Sequence, residues 1–358
     1  VVFVPGFLGS SLTVRREGES RSVWLEHEAI RQGWFRWLRL ASDGRLPFDP
    51  GIEVQPDGVL NTFYAEILLK LSVNWDVRTF AYDWRRDMMV AAAELEAFLR
   101  AEVGRDSVHL VAHSSGALVA RAMLAMRTGE GEQETKVETL ITLGEPTRGT
   151  YVVPRILAGI DPVIERIGQW SALNLPGQSD SAAGDEVAKA FASFPALYQM
   201  LPRAGFGGDA EPDQSLLSIE ALYEAQTYAR CPVVVAQSHL DDAKILHRLL
   251  DKPAKETLPP VSRIQGYGQP TPMGIRSADL LSEPEGYPFD PRGDGVIPAE
   301  AGTSATYFQA TTHGGLTADS EILASLEDLM EKGRTSRIGT TFPELLGESR
   351  GFARERGM

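Results

Sequence analysis

Over residues 1–143 the chain alternates short apolar runs with amphipathic segments, a rhythm that few folds share. Val1–Val4 is an apolar run closed by Pro5-Gly6, and Val77–Tyr82 reads as a second strand. A helix is predicted from about Met88 to Val103, with Ala91, Leu95, Phe98 and Leu99 on one face. Val108–Ala112 follows as a strand, Ser115–Arg127 as a helix and Val137–Leu143 as a strand. Parallel neighbours need long crossovers, and helices of this length supply them, so the pattern predicts a doubly wound, mostly parallel α/β sheet.

Between about Pro146 and Pro260 the rhythm breaks into helical pieces, with a Gly/Ser/Asp stretch at Pro176–Asp185 and a Gly/Asp/Pro loop at Gly205–Asp213. We read residues 1–145 as the first part of the core, 146–260 as mostly an inserted helical cap, and 261–335 as the second part of the core. Two runs in the later chain look like strands, Cys231–Ala236 and Val261–Gly268, and the second is better placed to rejoin the core sheet. A last helix is expected from about Ala318 to Lys332, and residues 336–358 read as a weakly ordered tail.

The formal charge of −14 sets the surface field against phosphate backbones, so nucleic acid is excluded as a partner. Cys231 is the only cysteine, which removes disulfide frameworks and multi-cysteine metal sites and leans towards a reducing, cytoplasmic setting. No metal or other cofactor is implied, because no His/Asp cluster stands at ligand spacing. No apolar stretch approaches the roughly 20 residues of a membrane-spanning helix. The chain opens without methionine, inside an apparent strand, as a fragment whose targeting segment has been cut away would.

Chemistry enters at Leu110-Val111-Ala112-His113-Ser114-Ser115-Gly116-Ala117-Leu118, where a strand runs directly into a helix through small-x-Ser-x-Gly. A serine on so sharp a turn has a strained backbone, and its neighbours at two residues either side must be small to let the packed elements pass. Ala112 and Gly116 meet that need, and the helix N-terminus favours negative charge at the serine. The competing reading is a helix-capping serine. Ser115 is the rival nucleophile, but it would place Ala117 where the closing glycine belongs, so Ser114 is preferred.

A serine hydroxyl needs a base, and in this fold order the base follows an acid late in the chain. Of the six histidines, His27 precedes the core, His109 lies within a strand, His239 and His247 fall in the expected cap, and His113 adjoins the nucleophile. His113 reads as a structural residue holding the turn. His313, in Thr311-Thr312-His313-Gly314-Gly315, lies after the last strand-like run and is the expected base. Asp294, between Gly293 and Gly295, is the expected acid, with Asp290 and Glu300 as nearby substitutes. The oxyanion hole would use the amide of Ser115 and that of Phe7, in Val4-Pro5-Gly6-Phe7-Leu8-Gly9-Ser10.

Together these landmarks resemble the lecithin:cholesterol acyltransferase-like family of α/β-hydrolases, and more closely its bacterial lipase or esterase members. The resemblance rests on the Pro5–Ser10 loop, Trp24-Leu25, Tyr82-Asp83-Trp84-Arg85, Phe194–Pro202, Gly266–Thr271 and Gly293–Pro298. It spans about residues 2–330. It implies Ser114, Asp294 and His313 as a triad, Phe7 and Ser115 as oxyanion donors, and cleavage of acyl esters, lipid esters included, through an acyl-enzyme. Ala112 in place of the usual glycine departs from the pattern, as does the absence of a lid disulfide.

Asp83-Trp84-Arg85 reads as structural support for the site, the competing reading being an exposed pair. Leu8, Trp34 and Trp37 are candidate substrate contacts. Trp34-Phe35-Arg36-Trp37-Leu38, with Ile156, Leu157 and Ile160, is either a transient lipid-contact surface or packing beneath the cap. Two other functions stay open at this stage. One is an O-acyltransferase using the same triad, distinguished by product analysis with an alcohol acceptor. The other is a silent hydrolase-fold module that binds lipid or protein.

Overall fold

The computed structural model describes residues 1–127, 135–172, 180–206, 214–252, 258–300 and 305–341. Its central sheet has six parallel strands: β1 (Val2–Val4), β2 (Arg78–Thr79), β3 (Ser107–His113), β4 (Lys136–Leu143), β5 (Val261–Tyr267) and β6 (Thr306–Ala310). In space they run β6-β5-β4-β3-β1-β2. The chain starts inside the sheet, steps outward to β2, then crosses back over β1 and proceeds the other way from β3. The loops leaving β1 and β3 therefore diverge from adjacent strand ends, the switch point at which open α/β sheets form their sites. This is the α/β-hydrolase fold.

Successive residues of a strand point to opposite faces, and the core is divided accordingly. Val2, Val4, Leu110, Ala112 and Leu140 join one apolar cluster, packed with Ala91, Leu95 and Leu99 of helix Met88–Glu102 and Ala117, Val119 and Met123 of helix Ser115–Met126. Phe3, Val111, Ile141 and Ile264 join the other, beneath helix Asn61–Leu71 and helix Ser320–Lys332. Asp87 caps the first of these helices through the amide of Met89, and Asp319 caps the last through Glu321 and Ile322. Phe3 is fully buried with its ring 4.9 Å from that of Tyr64, so Phe3→Ala would cost about 3–5 kcal/mol.

A three-stranded antiparallel sheet, ordered Glu19–Ser22, Ser10–Arg16 and Glu53–Val59, stands beside the central one. It follows directly on the loop after β1 and fixes where that loop ends. Between β4 and β5 the described residues form helices and no strand. Cys231–Ala236, expected as a strand-like run, is irregular: Pro232 has no amide for a ladder, and Val234 is 91% exposed. Helices Pro162–Ala172 and Asp180–Phe191 pack on each other and reach back to the segment His27–Leu38. Helix Gln237–Leu250 instead packs on Ser115–Met126.

The Gly/Ser/Asp and Gly/Asp/Pro stretches lie partly outside the described residues, as do 342–358 of the expected tail. At the start of that tail, Ile338 is buried and the Phe308 amide donates to the Gly339 carbonyl at 2.8 Å. Among the described residues no helix is long and apolar enough to cross a membrane.

Candidate active site

Strand β3 ends at His113, and the helix begins at Ser115, leaving one residue to make the turn. Ser114 makes it with φ 53° and ψ −130°, a conformation that costs a non-glycine residue about 1–3 kcal/mol and persists only where the surroundings enforce it. Enforcement is visible: the Ser114 amide donates to the Leu143 carbonyl at the end of β4 (2.8 Å). A side chain at Gly116 would collide with the Pro5 and Val4 carbonyl oxygens, so the helix and β1 approach only through glycine.

His313 and Asp294 arrive on loops after β6 and β5. The His313 Nε2 lies 2.9 Å from the Ser114 Oγ, and its Nδ1 lies 2.7 Å from an Asp294 carboxylate oxygen. A carboxylate accepts, so Nδ1 carries the proton and Nε2 turns its lone pair to the hydroxyl. The other Asp294 oxygen accepts from the amides of Val296 (2.9 Å) and Ile297 (2.7 Å), and the His313 amide donates to the Asp294 carbonyl (2.8 Å). Asp294 and His313 are thus joined through backbone as well as side chain. Asp290, a sequence alternative, instead holds Arg292 in a bidentate pair.

Three glycines make room for these three residues. A Cβ at Gly6 would lie 2.7 Å from the Ser114 Cβ, and one at Gly266 would lie 2.7 Å from the Asp294 Cβ. Gly144, at φ 60°, would drive a Cβ to 3.0 Å from the His313 ring. Sequence reasoning passed over Gly144, although its place directly after β4 is the signal that marks the other strand-end glycines.

The loop Pro5–Ser10 is fastened at every turn by an aromatic side chain. The Tyr82 hydroxyl donates to the Pro5 carbonyl (3.0 Å), the Tyr64 hydroxyl accepts from the Gly6 amide (3.1 Å), and the Trp24 indole donates to the Leu8 carbonyl (2.6 Å). The Trp84 indole donates to the Ser10 carbonyl (2.9 Å). Leu8 sits at φ 66°, and the Phe7 ring packs edge-on against Trp84 and Phe191. Among the described residues the Phe7 amide makes no hydrogen bond.

Tyr82-Asp83-Trp84-Arg85 gains a physical account here, since two of its four residues hold the loop. Arg85, 2% exposed, pairs with both Asp83 carboxylate oxygens (2.8 and 2.7 Å) and donates to the Leu38 carbonyl (2.7 Å). Removing either charge would strand its partner in the interior at a cost of about 3–5 kcal/mol.

Trp34 and Trp37 form no open aromatic face. Their rings meet edge-on at 4.3 Å, Arg21 covers Trp34, Arg16 and Arg36 cover Trp37, and both indoles are buried. Ile156 and Leu157 are buried too. A surface must be exposed before it meets lipid, so of the two readings of this segment the burial supports packing, against the helices Pro162–Ala172 and Asp180–Phe191, over lipid contact.

Among the described residues no group of side chains is arranged to hold a metal ion. No family model and no curated protein sequence matches the chain. Among solved structures it is similar to one in the Tle4-Tli4 complex, at 14% identity over 74% of each chain with a TM-score of 0.41. It is also similar to the mature lipase BlEst2 of Bacillus licheniformis, at 13% identity, covering 88% of this chain and 85% of that one, TM-score 0.39. EstA from Clostridium botulinum is similar at 12% identity, covering 92% and 85%, TM-score 0.36.

Proposed function

We propose that this chain is a serine hydrolase that cleaves carboxylic esters, lipid acyl esters among them, through an acyl-enzyme. The unbroken line from the Ser114 Oγ to the His313 imidazole (2.9 Å) and on to the Asp294 carboxylate (2.7 Å), at a strained strand-to-helix turn, carries the reading. In this reading the Ser114 hydroxyl gives its proton to His313 as the Oγ attacks the ester carbonyl, while Asp294 holds the opposite ring N–H and stabilises the imidazolium. The imidazolium then protonates the departing alcohol. Water next attacks the acyl carbon, passing a proton to His313, which returns it to the Ser114 Oγ as the acyl carbon–Oγ bond breaks and the acid is released.

The amides of Phe7 and Ser115 are the proposed donors to the oxyanion, and Leu8 a proposed substrate contact. Residues 1–145 and 261–335 would form the core, and 146–260 mostly the cap. Membership of the lecithin:cholesterol acyltransferase-like family belongs to the same proposal and rests on the motifs quoted above. The test is intact mass after treatment with a fluorophosphonate ester. One adduct on the wild type and none on Ser114→Ala is expected, and a folded wild type that stays unlabelled defeats the reading.

A further inference from the structure

The hydrogen bonds around His113 admit one consistent set of proton positions. Its Nε2 lies 3.2 Å from the carbonyl oxygen of His313, and a carbonyl only accepts, so Nε2 carries a proton. Burial, assisted by the neighbouring His313, pushes the His113 imidazole down to about 3, and at neutral pH the ring holds no second proton. Nδ1 therefore presents a lone pair to the Tyr64 hydroxyl, 3.2 Å away, which must donate. The Tyr64 oxygen is then free to accept from the Gly6 amide at 3.1 Å.

A directed chain results: Gly6 N–H to Tyr64, Tyr64 O–H to His113, and His113 N–H to the His313 carbonyl. Its ends belong to two parts of the proposed machinery that act at Ser114. Gly6 immediately precedes the Phe7 amide, and His313 supplies the imidazole. The His113 and His313 rings also lie side by side, with centroids 4.8 Å apart.

We propose that Tyr64 and His113 are positioning residues that tie the oxyanion loop to the backbone of His313, fixing both relative to Ser114. The proposal rests on the serine-hydrolase reading. A neutral His113 also leaves the serine proton to His313, because the chain gives His113 no free lone pair.

The experiment compares Tyr64→Phe, His113→Asn and His113→Gln in the full chain, with a short-chain nitrophenyl ester as substrate and a trifluoromethyl ketone as mimic of the tetrahedral intermediate. Asparagine keeps an acceptor for Tyr64, and glutamine keeps a donor to the His313 carbonyl. Displacing an oxyanion donor costs less than deleting one, so Tyr64→Phe is expected to lower kcat by about 10- to 100-fold, hold KM within about twofold, and weaken the ketone by the same factor as kcat. Each His113 variant keeps half the chain and should fall between that variant and wild type.

A folded Tyr64→Phe variant with wild-type kcat, or one whose loss lies in KM alone, overturns the proposal. Nitrogen-15 NMR of the His113 ring reports the chain without reference to activity: a protonated Nε2 and a bare Nδ1 at neutral pH are expected, and a protonated Nδ1 overturns it. A folded wild type that takes no fluorophosphonate defeats the hydrolase reading and the positioning role together, whereas a reactive wild type with unaffected variants defeats the positioning role alone.

Discussion

Two buried histidines in this molecule are dressed alike and end differently. His113, beside Ser114, has a tyrosine hydroxyl on Nδ1 and a carbonyl on Nε2, and so does His247, in helix Gln237–Leu250, with Tyr223 at 3.1 Å and the Gln199 carbonyl at 3.0 Å. The difference is one atom further along. Beyond Tyr64 stands a donor, the Gly6 amide, whereas beyond Tyr223 stands an acceptor, the Pro202 carbonyl at 3.0 Å. A chain ending on a donor forces the tyrosine proton towards the ring. A chain ending on an acceptor lets the proton go either way, and a charged His247 could donate to Tyr223 while Tyr223 donates to Pro202. Burial pushes both rings down, His113 to about 3 and His247 to about 4. The lesson is that identical first neighbours do not fix a proton; the group behind them does.

The largest test concerns a third histidine, His313, whose Nδ1 faces a carboxylate in place of a tyrosine and whose Nε2 faces the Ser114 hydroxyl in place of a carbonyl. Asp294→Asn leaves that partner able to donate as well as accept, and the imidazole loses its defined tautomer. A fall in kcat of about 10³- to 10⁴-fold is expected from steady-state ester hydrolysis. Next in size comes the pair Tyr64→Phe and Tyr223→Phe, which delete the same hydroxyl in the two regions. Each should lose about 1–3 kcal/mol of stability in urea unfolding, as buried groups left without a partner do. Only the first should lower kcat, and an equal effect from the second would erase the contrast.

Acid stability separates the regions by smaller amounts. Both rings have folded pKa values below the unfolded value of about 6.5, so the stability they contribute is complete above that pH and falls as the unfolded chain binds protons the folded chain refuses. At pH 5 each histidine should account for about 2 kcal/mol of lost stability. His247→Asn should therefore weaken the loss of stability between pH 7 and 5, measured by urea titration at each pH. Glu300 acts with the opposite sign and the smallest effect. Burial pushes its carboxyl up to about 7, with Arg148 and Arg263 opposing, so its contribution is present below about 4.5 and is lost as pH rises to 7. Glu300→Gln should be more stable than wild type at pH 8 by about 1 kcal/mol after solvent screening, and unchanged at pH 4.

Ser114, Asp294 and His313, the proposed nucleophile, acid and base, are legible as candidates because each sits at a strand end whose local sequence is unusual. Ala112-His113-Ser114-Ser115-Gly116 carries its own steric signature, and Gly293-Asp294-Gly295 and His313-Gly314-Gly315 are small-residue turns late in the strand order. Tyr64 had no such mark. It lies on a helix, 58 residues from Gly6 and 49 from His113, and only the closing of the sheet brings the three together. The segment Glu53–Val59 was illegible for another reason: with Pro56, Asp57 and Gly58 it reads as a turn, and it becomes a strand because Ser10–Arg16 offers it an edge. Cys231–Ala236 failed the other way, its apolar composition suggesting a strand that Pro232 and a lack of neighbours forbid. Trp34 and Trp37 show that aromatic residues beside arginines are ambiguous between surface and packing until the covering helices are placed.

The glycines beneath Ser114, Asp294 and His313 also say where this protein can be re-engineered. Gly6, Gly144 and Gly266 each occupy a position where a single methyl group collides with a residue of the site. Random libraries aimed at new substrates would lose most members at those three codons before any selection for specificity began. Under the proposed reading, diversity is better placed at Leu8, the proposed substrate contact, so that variation explores the proposed approach of the substrate and leaves Ser114, Asp294 and His313 in register.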